Sequence, residues 1–307
     1  MDRDTDQLID VELIAFDLET TGLHALTHRI IEIAAVRFRG DGTVLEQFEQ
    51  LIDPGCEIPA EATTVHGLRN CDVDGKPTIA ETLPRFLQFL GDAPSIMMAH
   101  NASFDMGFLT MAWGRLRQPS PSHTVVDTIP LARERLPLRN YKLETIGRHL
   151  GLIDDERHRA LDDSMLLKNV FVNLVEREPA ITTLAALFDI TPELSFQHHE
   201  VAITQPPLGF EGLAIAISEG QSIKLVYDGG TSPGSPRIVT PLAFVKEGGR
   251  IYLSALCHKS RIEKSYRLDR IVSFERKSPS TSLRKSANRS SSKGKSQPSK
   301  PKPDGHG

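Results

Sequence analysis

Residues 15–23, AFDLETTGL, constrain this chain more than any other stretch. Val11, Leu13, Ile14, Ala15 and Phe16 make an apolar run of the kind a buried strand requires. Asp17 and Glu19 interrupt it, and a spacing of two puts both carboxylates on one face of an extended strand. Burying acids is costly unless positive charge compensates them. The pair therefore fits a divalent cation held by oxygen ligands. On this stretch alone a strand end reaching solvent, with both acids hydrated, fits as well.

The elements around it indicate a mixed sheet covered by helices. Strands are expected over 11–18, 29–38 and 44–52, with Gly40-Asp41-Gly42 turning the second into the third. A helical stripe runs over 78–90 (Ile79, Leu83, Phe86, Leu87, Leu90) and stops at Gly91. A strand over 95–99, a helix over 103–116, a strand over 123–128 and helices over 143–150, 160–176 and 181–190 follow. That order gives an α/β layer architecture. Residues 191–207 lack a period, hold three prolines and read as a linker. Residues 208–276 change to short alternating runs at 222–227, 237–239, 242–245, 250–255 and 271–274, which indicates a small β-rich domain. Residues 277–307 carry eight Lys/Arg against one acid and should be disordered. That tail is +7, so residues 1–276 carry −11 of the net −4. The body's negative charge does not exclude nucleic acid, because metals and local basic patches can do the binding.

Three cysteines without metal spacing or a disulfide framework suit a reducing cytosol. The acidic start MDRDTDQLID has no apolar core of a signal peptide, and no apolar run approaches a membrane span. A cytoplasmic location is the expectation.

Two further acid-bearing stretches lie at element edges. His100-Asn101-Ala102-Ser103-Phe104-Asp105 closes a short strand and opens a helix, with Ser103 as the expected cap. His158-Arg159-Ala160-Leu161-Asp162-Asp163 enters the 160–176 helix. Each acid alone could be a helix-dipole partner, and His158 a solvated side chain. Together they supply carboxylates for two divalent ions, which can activate a water and stabilise the leaving oxygen of a phosphodiester displacement. A histidine can take the water's proton near neutral pH.

FDLETTG, NASFD and HRALDD resemble the three motifs of the DnaQ-like, DEDDh 3′–5′ exonucleases, over roughly residues 10–178. The resemblance implies an RNase H-like fold, two Mg²⁺ or Mn²⁺ ions and stepwise release of nucleoside monophosphates. It implies that Asp17 touches both metals, that Glu19 and Asp163 hold the metal serving the nucleophilic water, that Asp105 serves the second, and that His158 is the general base. Thr20, Leu23 and Asn101 would lie at the substrate, as would His66 of the HGL segment 66–68, which could equally be a turn. Asp127 fits the family pattern in a structural role, and Lys142 could contact phosphate or be solvated.

The second domain resembles a WYL domain at 222–227, 237–242, 251–253 and 266–271, although Ile251 stands where Trp is expected and Lys264 where Arg is common. Such domains are SH3-like β-barrels in bacterial regulators that bind nucleic acid or a ligand. Arg237, His258, Arg261, Lys264, Arg267 and Arg270, interleaved with Tyr252 and Tyr266, suit a single strand's phosphates and bases. The alternative is a core Tyr252 beneath solvated cations. Residues 205–210, QPPLGF, resemble sliding-clamp docking peptides, with internal packing of Leu208 and Phe210 as the alternative. The expected activity is single-stranded DNA degradation, with RNA as second candidate, by a free-standing repair or processing nuclease. The rivals are a polymerase proofreading subunit and a nucleic-acid-sensing regulatory binding protein.

Overall fold

A computed structural model describes residues 6–92, 95–153, 159–177, 179–199, 201–230 and 232–276. His158 and the basic segment 277–307 lie outside them.

The first sheet runs β3-β2-β1-β4-β5-β6. Its strands are β1 (Glu12–Thr20), β2 (Ile30–Arg39), β3 (Val44–Leu51), β4 (Ile96–Ala99), β5 (Thr124–Asp127) and β6 (Leu194–Ser195). The β1–β2–β3 meander is antiparallel, β4 and β5 are parallel to β1, and β6 is antiparallel to β5. Central β1 is buried on both faces, which explains its nearly continuous apolar run. Helices α3 (Ile79–Leu90), α4 (Ala102–Arg115), α6 (Leu143–His149), α7 (Ala160–Glu176) and α8 (Leu184–Ile190) stand near their expected positions. α7 packs on β1 and β2, fixed in register by the Ser164 hydroxyl donating to the Ala34 carbonyl at 3.2 Å.

Some elements were not expected. α1 (Ala60–His66), α2 (Asn70–Val73) and α9 (Glu211–Ser218) are too short to print a clear stripe. α5 (Thr128–Arg135) follows β5 without a loop, because the Asp127 carboxylate caps it at the Ile129 N–H. α8 starts at Leu184 rather than 181, since the Thr183 hydroxyl caps it at the Ala186 N–H. Ser103 caps nothing. It lies inside α4, whose cap residue is Asn101 in a left-handed conformation, and Asp127 accepts the Asn101 and Ala102 N–H groups at 3.1 Å each.

The stretch 191–207 is tied to both sheets: β6 extends the first, and β7 (Ala202–Thr204) pairs with β9 of the second. The second sheet runs β11-β10-β9-β8-β12, from β8 (Ile223–Tyr227), β9 (Arg237–Glu247), β10 (Arg250–Cys257), β11 (Glu263–Arg267) and β12 (Ile271–Arg276). β9 is one strand where two runs were expected, because Pro241 sits at a register shift against β10. Pro241 also falls between the segments of the opposite edge taken by β8 and β7. β11 and β12 form no pair among the described residues, so the sheet stays open and the expected closed barrel is not found.

α4 joins the two sheets. Ten of its residues are buried, and Gly107 and Gly114 lie seven apart on one face. A Cβ on Gly114 would come within 2.3 Å of Ile203 of β7, and one on Gly107 within 3.3 Å of the His199 ring. Their missing side chains let the 191–207 stretch lie against the helix. Val201, Val245 and Phe196 accordingly belong to the same apolar cluster as Phe16, Leu109 and Trp113. No helix among the described residues is long and apolar enough to cross a membrane.

Candidate active site

β1 carries the site. Register opposite β2 places Asp17 beside Ala34 and Glu19 beside Glu32. One carboxylate oxygen from each of Asp17, Glu19 and Asp163 lies within 4.8 Å of the others. Asp163 stands in the first turn of α7 and Asp162 beside it is exposed, so helix phase selects which of the two acids faces β1. Asp105 is buried in the first turn of α4, and its carboxylate accepts from the Leu18 N–H.

Without cations this arrangement resists ionisation. Burial pushes Asp17 well above the carboxylate range, and the charges of Asp105, Asp163, Glu19 and Glu32 push further. Glu19 is raised from 4.5 to about 8, by burial first and then by Asp163, Glu32 and Asp105, with Arg159 acting against them. Burial also raises Asp105, against hydrogen bonds from its own N–H and that of Leu18. Four acids whose charges oppose one another, all offering hard oxygen ligands, fit a divalent cation.

The surrounding scaffold is salt-bridged. Glu32, fully buried, accepts from Arg159 Nε at 3.1 Å and Nη2 at 2.5 Å, and from the Ala160 N–H at 3.2 Å. It thus neutralises Arg159 and caps the helix that carries Asp163. A lone acid in the apolar run RIIEIAAVRF was the available signal for this residue. His100 ties β4 to the chain before α6, with Nδ1 bonded to the Thr128 hydroxyl at 2.9 Å and Nε2 to the Tyr141 carbonyl at 2.6 Å.

The other expected contact residues are scattered. The buried Thr20 hydroxyl donates to the Gly22 carbonyl at 2.8 Å, while Leu23 is 77% exposed at the loop tip. Buried His66 ends α1, accepts the Leu68 N–H on Nδ1 at 3.1 Å and rests against the Thr20 backbone. Gly67 follows at φ +77°, the left-handed cap that glycine provides at low cost. Asn101 is exposed at the start of α4, beside Asp105.

In the second domain, Arg237 lies over the Tyr227 and Tyr266 rings, 5.8 and 5.9 Å from their centroids, and donates to the Ser232 carbonyl at 2.8 Å. Tyr266 is buried edge-on to Tyr227, so it has no open face for a base. Tyr252 is half-buried against the apolar cluster around α4. Arg267 pairs with Asp269 at 2.5 Å, and Arg270 is exposed. Phe210 precedes α9 and stacks on Phe274 at 6.4 Å. That ring is committed inside the domain, so clamp docking through residues 205–210 has no support. Leu208 is 94% exposed.

A family model described as exonuclease matches residues 14–171, and one for the WYL domain matches residues 210–276. A PolC-type DNA polymerase III from Clostridium perfringens is 40% identical over 164 residues, covering 52% of this chain and 11% of the relative. The PolC-type enzyme of Thermotoga maritima is 33% identical over 236 residues, covering 75% of this chain and 16% of its own. The chain thus spans less than a fifth of these relatives. Among solved structures, a zinc-bound E. coli ExoI–ssDNA complex matches with a TM-score of 0.51 and 17% identity, over 80% of this chain and 55% of that one. That likeness shows the mixed α/β exonuclease fold.

Proposed function

We propose that this chain, which belongs to the exonuclease family and carries a WYL domain behind its nuclease domain, releases nucleoside monophosphates from the 3′ end of single-stranded DNA. Membership of the family makes it a nuclease, a phosphodiester hydrolase. The observation carrying the finer reading is the convergence of Asp17, Glu19 and Asp163 oxygens within 4.8 Å, with buried Asp105 alongside. Those carboxylates would hold two Mg²⁺ or Mn²⁺ ions, which when bound supply Lewis-acid activation of water and charge stabilisation at the leaving oxygen.

The protein's own residues do the remainder. Asp17, central on a strand buried on both faces, fixes the site's position. Glu32 and Arg159 hold the start of α7, which keeps Asp163 facing β1. His158, one residue before Arg159, takes the proton from the attacking water. Leu23 and Asn101, both exposed beside the acids in sequence, would meet the terminal nucleotide, with Thr20 and His66 shaping the backbone beneath it. The second domain's Arg237, Arg267, Arg270 and Tyr252 would handle the strand's backbone and bases. The DNA polymerase relatives support DNA over RNA.

A 3′-labelled single-stranded oligonucleotide with Mg²⁺ or Mn²⁺ tests the proposal, beside matched duplex and RNA. Asp17→Ala should abolish mononucleotide release, and His158→Ala should slow it by about 10²–10⁴, the usual worth of a positioned base. Wild-type rates in either variant would refute the assignment. The PolC-type relatives also favour a second reading, proofreading in partnership with a polymerase. It predicts stable co-purification with a polymerase subunit, whereas a free-standing nuclease purifies alone and active.

A further inference from the structure

Glu263 opens β11 of the second domain, yet its carboxylate is 5% exposed and serves the nuclease domain. It accepts from Arg29, from Arg115 Nη2 at 3.2 Å and from the Ser254 hydroxyl. Burial pushes its pKa up, and the Arg115 and Arg29 guanidiniums with the Ser254 hydroxyl outweigh this and hold it below the ordinary carboxylate value. Arg115, whose own value falls to about 10 through burial, stays charged. The same Arg115 Nη2 donates to the Ala25 carbonyl at 3.1 Å and the Leu26 carbonyl at 2.7 Å.

Ala25, Leu26 and Arg29 all belong to the loop 21–29 that leaves β1 directly after Glu19 and Thr20. Its base is closed by the Arg29 N–H donating to the Thr21 hydroxyl at 2.9 Å and the Thr21 N–H donating to the Arg29 carbonyl at 2.8 Å. Within it, the His24 N–H donates to His28 Nδ1 at 3.1 Å, and the His28 ring packs where a Cβ on Gly22 would stand. Leu23 stands exposed at the tip. Loops usually owe their shape to their own domain. This one has two guanidiniums at its rim, and their charge is balanced by a carboxylate from another domain. Removing one partner of such a buried network strands the others without compensation.

We propose that Glu263 is a positioning residue for the nuclease: from the second domain it fixes the loop 21–29, and through it Leu23, at the 3′ end of the substrate. The WYL domain is then a built-in wall of the substrate cleft. The substrate part of this inference rests on the exonuclease reading above, while the loop-fixing part does not.

The test uses the full chain with Glu263→Gln, Arg29→Gln and the double substitution. Amide hydrogen exchange should quicken at least tenfold over residues 22–29 in each single variant, with β1 and β9 unchanged. KM for the single-stranded oligonucleotide should rise about 5–20-fold while kcat stays within twofold. The double variant should match the singles, because both remove one link. Unchanged exchange over 22–29 overturns the proposal, as do additive effects in the double variant. A fall in kcat with KM constant overturns it too, since that marks general destabilisation. If Glu263→Gln fails to fold, Arg29→Gln, at a residue 25% exposed, carries the same test from the loop side. Should the wild-type chain release no mononucleotides, the exonuclease reading fails, and the exchange measurement still decides whether Glu263 fixes the loop.

Discussion

Replacing one acid of the proposed metal site should make the metal-free protein more stable. Glu19 is 9% exposed and its value stands at about 8 against 4.5 in an open chain. Between those values the folded protein holds a proton that the unfolded chain has released, so stability falls as pH rises, and it stops falling once the folded group ionises. Each unit costs about 1.36 kcal/mol. The penalty is therefore on the order of 1 kcal/mol at pH 5.5, 3 at pH 7 and 5 above pH 8. A glutamine side chain has nearly the same shape as the glutamate and no charge to bury. In EDTA, Glu19→Gln should match the wild type near pH 4.5 and exceed it by about 3 kcal/mol at pH 7.

Urea denaturation at several pH values, with EDTA throughout, measures this difference. Adding Mn²⁺ should reverse the order, because a ligand that binds only the folded state stabilises in proportion to its affinity, and the variant's amide lacks the anionic oxygen. A difference that does not vary with pH would refute the electrostatic argument. So would a Glu19→Gln protein less stable than wild type at pH 7 in EDTA, which would show that Glu19 is already paired with positive charge.

Two further outcomes follow from the scaffold. Asp127→Ala removes the acceptor for three backbone N–H groups, of Asn101, Ala102 and Ile129, and should cost about 2 kcal/mol in urea denaturation while fraying the start of α4 in hydrogen exchange. Gly114→Ala drives a methyl to 2.3 Å from Ile203 and should cost about 1–3 kcal/mol, with more than half recovered when Ile203→Ala is added. An additive loss in that pair would mean the two residues do not meet.

The acid-bearing strand β1 was legible because its signal is local. Acids at 17 and 19 inside an apolar run mark the strand and put two carboxylates on one face, and Asp163, set apart from Asp162 by the motif spacing, is the one whose oxygen lies near theirs. Asp105 was legible as the acid of a helix start, but its cap was not. The sequence offers Ser103 nearby, whereas the capping carboxylate comes from Asp127 on another strand. Nothing in the sequence singles out Arg29, Arg115 and Glu263, because it does not state which charges a second domain will bury. Tyr266 looked available for stacking on bases for the same reason. Ring position is set by which face of an open sheet is covered, and Tyr266 is on the covered one.

α4 shows how the two kinds of information combine. Its apolar residues do not gather on one side, because one side meets the first sheet and the other meets β7. A helix with Met106, Phe108, Leu109, Met111 and Trp113 all buried would be insoluble alone. Gly107 and Gly114 mark the side that must admit another backbone. Asp105 stands at its first turn facing the acids of β1, and Arg115 at its last turn faces Glu263. Each charge also complements the helix dipole at its end, acid at the N-terminus and cation at the C-terminus. Because the helix is enclosed on both sides, a shift of the second domain along it cannot be absorbed by solvent-facing side chains. Displacing Glu263 must therefore either drag Arg115 or release it, and releasing Arg115 frees the carbonyls of Ala25 and Leu26 that hold the loop beside the acids.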